Sequence, residues 1–104
     1  MNEKIIKLVN LGKIPDDKDM SNEMFNKYDE LIQVDEPLTY EEAESIISLF
    51  SDDCYDLNWG LLHLIETVDI QNNEEQYRSL ISRCNNDEFR EMLEMRLNNA
   101  LENK

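Results

Sequence analysis

The chain has 104 residues, 40% of them hydrophobic and 33% charged, with two Gly and two Pro. That is room for one domain with one modest core, and it excludes β-sandwiches, collagen-like repeats and glycine-rich linkers. The 24 acids against ten bases give a formal net charge of −14, so phosphate backbones and anionic lipid surfaces repel the protein, and no nucleic-acid or membrane partner is expected.

A first helix is expected from Asn2 to Leu11, with Ile5, Leu8, Val9 and Leu11 as its apolar stripe and Gly12 as its left-handed stop. Pro15 ends any continuation. After the polar run Asp16 to Asp19, Ser21 or Asn22 caps a second helix carrying Met24, Phe25, Tyr28, Leu31 and Ile32, closed by Pro37. The clearest start signal is the capping box Thr39-Tyr40-Glu41-Glu42, which opens a third helix with Ala43, Ile46, Ile47 and Phe50 on one face. Ser51-Asp52-Asp53 breaks the pattern. Leu57, Leu61, Leu64, Ile65 and Val68 then form one continuous stripe, the mark of a core helix. Gly60 within it costs about 1 kcal/mol relative to Ala, which close approach of a neighbouring helix would explain. Asn73 with Gln76, and Asn85 with Glu88, repeat the capping-box spacing ahead of Tyr77/Leu80/Ile81/Cys84 and Phe89/Met92/Leu93/Leu97.

No segment alternates as a strand must, so the fold class is all-α, with about six helices over one domain, residues 1–104. Helices three and four, and five and six, read as antiparallel hairpins, stacked in a HEAT-like manner or packed as an irregular bundle. No apolar run is long enough to span a bilayer and no signal-peptide pattern is present, which points to the cytosol.

Catalytic chemistry is poorly represented. Cys54 and Cys84 lack C-x-x-C spacing and a nearby histidine, so reduced, partly buried thiols are expected and zinc is not. The one histidine, His63, stands three residues before Glu66, but a metal-binding bundle needs a second such pair; a partly buried packing role is expected. Counting a calcium loop from Asp52 puts Leu57 where Gly is required and His63 where Glu is required. There is no phosphate-binding glycine loop or nucleophile motif. The expectation is a protein without enzymatic activity, metal or cofactor.

The charge is concentrated. Residues 16 to 56 hold 14 acids and two lysines, a net of −12, whereas residues 1 to 15 carry +2 and the last third is nearly balanced by Arg78, Arg83, Arg90 and Arg96. Within and beside that stretch, acids flank aromatics: Tyr40, Glu41 and Glu44, then Asp52, Asp53, Tyr55 and Asp56, then Trp59. Aromatics rimmed by charge are the components of an interface hot spot, so these eight residues are the candidate partner-binding set. The surface of the second helix around Glu23, Asp29 and Glu30 is the fallback.

The segment Leu57-Asn58-Trp59-Gly60-Leu61-Leu62-His63-Leu64-Ile65-Glu66, preceded by Asp52-Asp53, resembles small helical immunity proteins of bacterial polymorphic-toxin systems, including contact-dependent growth inhibition. The resemblance covers residues 39 to 69 and extends less clearly to Leu101. It implies a cytosolic antidote binding one cognate toxin C-terminal domain, one to one, at a basic active-site surface such as a nuclease requires. Composition alone equally fits an acidic nucleic-acid mimic that inhibits a defence or regulatory protein. A mimic would spread its acids along its length, and this chain does not.

Overall fold

A computed structural model of the chain describes residues 1–71 and 73–102. Helices α1 (Glu3–Leu11), α2 (Asn22–Ile32), α3 (Tyr40–Ile46), α4 (Tyr55–Ile65), α5 (Glu74–Arg83) and α6 (Asp87–Glu102) follow one another, with a short 3-10 turn at Asp17–Asp19 and no strand among the described residues. The protein is all-α, as the periodicity predicts. The thinnest dimension of the Cα trace, 18 Å, accommodates two helix layers at the usual 8 to 10 Å spacing and no third. The accessible surface is 6342 Å², close to the ~6,100 Å² that size scaling gives for one compact domain.

Local signals set most helix ends. Asn2 Oδ1 accepts from the Lys4 N–H at 2.8 Å to start α1, and Gly12, at φ +83°, stops it. Ser21 caps α2 through Met24 N–H, and the reciprocal Thr39–Glu42 box forms as its spacing predicts. The other two box spacings do not close into boxes. Asn73 makes no side-chain cap, and Asn86, not Asn85, caps α6 by accepting from the Glu88 and Phe89 N–H groups.

The expected stripes are mostly buried, with three departures. Val9 and Leu11 are exposed and only Ile5 and Leu8 of α1 reach the core, because α2 and α3 cover one narrow side of this helix. Met24 is likewise exposed. The third helix ends at Ile46, so Ile47 and Phe50 reach the core from irregular backbone. The α5–α6 hairpin is present, whereas α3 packs chiefly on α1 and α5 and α4 on α2. The connection from Ile47 to Cys54 separates α3 from α4 and lets each find another neighbour. A Cβ built on Gly60 would lie 3.3 Å from Ile32 Cγ2 of α2, which accounts for the glycine within the helix.

Two buried polar arrangements tie the layers together. Phe50 and Ser51 are fully buried in non-helical backbone. The Asn85 side chain pairs with both the N–H (3.1 Å) and the carbonyl (2.8 Å) of Phe50, and Asn58 of α4 does the same for Ser51 (2.8 and 2.9 Å). Asn86 Nδ2 adds a second bond to the Ser51 carbonyl, and Ser51 Oγ donates to the Pro15 carbonyl. In the second arrangement Glu42, 6% exposed, accepts from the Asn2 N–H at 2.6 Å as well as from Thr39, joining the starts of α1 and α3. The Asn2 and Thr39 N–H groups hold its carboxyl below the ordinary range.

Asn58→Ala is expected to cost about 2 to 4 kcal/mol, since it orphans a buried N–H and opens a void; Leu61→Ala, a cavity in the same helix, should cost a similar ~2 to 5 kcal/mol in urea unfolding. For Glu42 the lowered native pKa makes its contribution complete above the ordinary carboxyl range and lost as pH falls through the lowered value. Glu42→Gln should therefore destabilise at pH 7, and the gap to the parent protein should close as unfolding is measured from pH 5 towards pH 3.

Candidate functional site

The stripe Leu57, Leu61, Leu64 and Ile65, joined by Asn58 and Leu62, turns one side of α4 inward. Positions 55, 59 and 63 are thereby forced outward, at i, i+4 and i+8 along one line. Tyr55 is 48% and Trp59 39% exposed, and His63 is exposed as well, not partly buried as its place among leucines suggests. Its Nδ1 lies 3.4 Å from Glu66 Oε1. No group of three or more His, Cys, Asp or Glu among the described residues is arranged to hold a metal.

Behind this line stands Phe89 in the first turn of α6, stacked on Phe50 at 5.2 Å between ring centroids. Trp59 meets Phe89 edge-on at 5.2 Å and Tyr55 lies against it at 6.4 Å. Phe89 is fully buried, so both outer rings rest on a fixed base. Towards the far end of α6, Trp59, His63, Glu66, Met92, Met95 and Arg96 line an open groove of about 500 Å³. The Glu88 carboxylate, by its charge and by accepting from the Tyr55 hydroxyl, is the main cause of a raised Tyr55 pKa, with smaller contributions from burial and from Asp53.

The eight candidate residues fall into three neighbourhoods. Tyr40 donates to the Asp69 carbonyl at 2.6 Å and is half-buried; Glu44 faces Arg83 of α5 at 3.8 Å, and Glu41 is exposed beside them on α3. Asp52 pairs with Lys13 at 3.2 Å, and Asp53 Oδ1 accepts from the Asp17 N–H at 2.9 Å, so the acidic turn is fastened to the α1–α2 connection. Tyr55, Asp56 and Trp59 share the exposed side of α4. The contribution of α6, through Glu88, Phe89, Met92 and Met95, has one sequence signal: Met95 lies off the Phe89/Met92/Leu93/Leu97 stripe, and it is 60% exposed. On α2, Glu23, Asp29 and Glu30 are all exposed, Asp29 sharing a hydrogen bond with Gln33.

Of the 14 acids in residues 16 to 56, Glu42 alone is buried. No helix among the described residues is long and apolar enough to cross a membrane. Comparison with family models, with curated proteins and with solved structures gives no match.

Both cysteines are free and buried, deeper than expected. Burial pushes the Cys54 thiol up to about 11 and raises that of Cys84. At pH 8 both should react with a water-soluble disulfide reagent only as fast as the protein opens, and at once in denaturant; rapid native labelling would contradict the packing.

Proposed function

We propose that the protein is an immunity protein, a cytosolic antidote that binds one cognate secreted toxin domain and covers its basic, substrate-holding surface. The observation that carries this reading is the net −12 of residues 16 to 56, displayed on the surface beside two exposed aromatics, Tyr55 and Trp59. A nuclease cleft must be basic to hold phosphate, and carboxylates placed where phosphates would lie can fill it. The protein acts by occlusion, one copy per toxin domain, with no bond made or broken. Resemblance of residues 57 to 66 to immunity proteins supports the same reading. The uneven distribution of acids disfavours a nucleic-acid mimic, which presents charge along its length.

Affinity and rate have different sources here. Exposed carboxylates gain little when desolvated but steer encounter over about a Debye length, ~8 Å at physiological salt. Aromatics seated on a rigid base hold the complex once formed. Asp52, Asp53 and Asp56 replaced together by Asn keep an amide oxygen to accept from Lys13 and from the Asp17 N–H, while the negative charges, and with them the Lys13 ion pair, are lost. This variant should slow capture of the toxin domain encoded beside the gene and flatten its salt dependence. Trp59→Ala should instead raise the dissociation rate and cost ~2 kcal/mol or more. Stopped-flow binding at two salt concentrations, with a toxicity-rescue assay, separates the effects. An unchanged low-salt association rate in the triple variant would move the interface to α2.

A further inference from the structure

The α4–α6 face has a chemical character that net charge alone does not account for. Tyr55 and Trp59 are partly exposed one helical turn apart and are propped from below by Phe89. Asp56 stands on the same exposed side of α4, and Glu88 immediately precedes Phe89 on α6. Both carboxylates are exposed, and among the described residues neither has an ion-pair partner. Most surface acids among the described residues are likewise without an ion pair, Glu74 with Arg78, Glu66 with Arg96 and Asp52 with Lys13 being exceptions; what sets Asp56 and Glu88 apart is that they flank two exposed aromatic rings. Beyond Trp59 the surface continues as methionine, with Met92 half-buried and Met95 exposed.

We infer that this face is a receptor for an arginine-bearing segment of the partner protein, the guanidinium lying over Trp59 and Tyr55 between Asp56 and Glu88, with apolar neighbours of that arginine resting on Met92 and Met95. A guanidinium is planar, stacks on aromatic faces and offers paired N–H donors to a carboxylate; an ammonium does none of these as well. The inference rests on the reading of the protein as an inhibitor of a basic partner, and it names what that partner must present.

Trp59 is the only tryptophan, so its fluorescence reports on this face alone. The test titrates the full chain with the acetylated tetrapeptide amide Leu-Arg-Leu-Arg and with its counterpart in which citrulline, neutral and nearly isosteric, replaces both arginines. Expected is a saturable change in Trp59 emission, at least fivefold tighter for the arginine peptide at low salt. Glu88→Gln should abolish most of that preference with unchanged far-UV circular dichroism, and Glu75→Gln, which removes the same charge from the first turn of α5, should retain it. Equal binding of the two peptides, no binding, equal effects of the two variants, or an emission change with protein concentration alone, which would mark a second copy as the occupant, each overturns the inference. Should the peptides fail while the toxin domain is still captured in a salt-dependent manner, the inference falls and the inhibitor reading stands.

Discussion

Everything in this fold depends on two residues of irregular backbone, Phe50 and Ser51, being buried without loss of hydrogen bonds. An unpaired buried peptide group costs about 1 to 3 kcal/mol, and these two residues carry four such groups. Helical ladders cannot reach them. The solution is for side-chain amides to stand in for a β-partner: Asn85 serves the N–H and carbonyl of Phe50, and Asn58 those of Ser51. The neighbouring Leu49 carbonyl is taken by the Ile14 N–H at 2.9 Å. The α1–α2 connection, α4 and the α5–α6 turn therefore converge on one strand of backbone, which fastens the acidic N-terminal half to the more balanced C-terminal half.

The same knot shapes the exposed surface. The Ser51 carbonyl accepts from Asn58 on α4 and from Asn86 at the start of α6, so a single oxygen sets the register between the two helices. With that register fixed, Phe89 falls under Tyr55 and Trp59 while stacking on Phe50. The two outer rings are thus held by contacts within the chain itself. For the proposed complex this leaves little conformational entropy to lose, where ordering a rotamer-rich side chain otherwise costs about 0.5 to 1.5 kcal/mol. A surface aromatic on a flexible loop would lack this advantage.

Helix existence and most helix starts were legible in the sequence because they are local. Thr39-Glu42, Ser21 and Gly12 act within one turn, and the stripe of α4 announces its own burial. Pairing was less legible. The third and fourth helices are neighbours in sequence, yet α4 finds α2, and only Gly60 hinted that some helix comes close. The asparagines were illegible for a physical reason: Asn58, Asn85 and Asn86 have the composition of caps and solvated surface, and their true partners, Phe50 and Ser51, lie 7 and 35 residues away. At the candidate site, the exposure of Tyr55 and Trp59 follows from the α4 stripe by elimination. The support from α6 does not, since it depends on the register that the asparagines impose.

The acidic surface and the aromatic pair make sense as a division of labour under one energetic constraint. Fourteen acids within 41 residues repel one another, and few cations offset them locally, Lys13 against Asp52 being one. Such repulsion weakens the folded state, so the core must supply the surplus, and a single buried carboxylate, Glu42, is admitted only where backbone N–H groups hold it. Solvated carboxylates cannot by themselves hold a partner, because what they gain in Coulomb energy they largely return in desolvation. On the proposed reading, their long-range field sets how quickly a basic partner surface is met. In the proposed complex retention falls to groups that gain by leaving water, and on the outer face of α4 the exposed aromatics are Tyr55 and Trp59, set where the acidic turn ends and the apolar face of α6 begins.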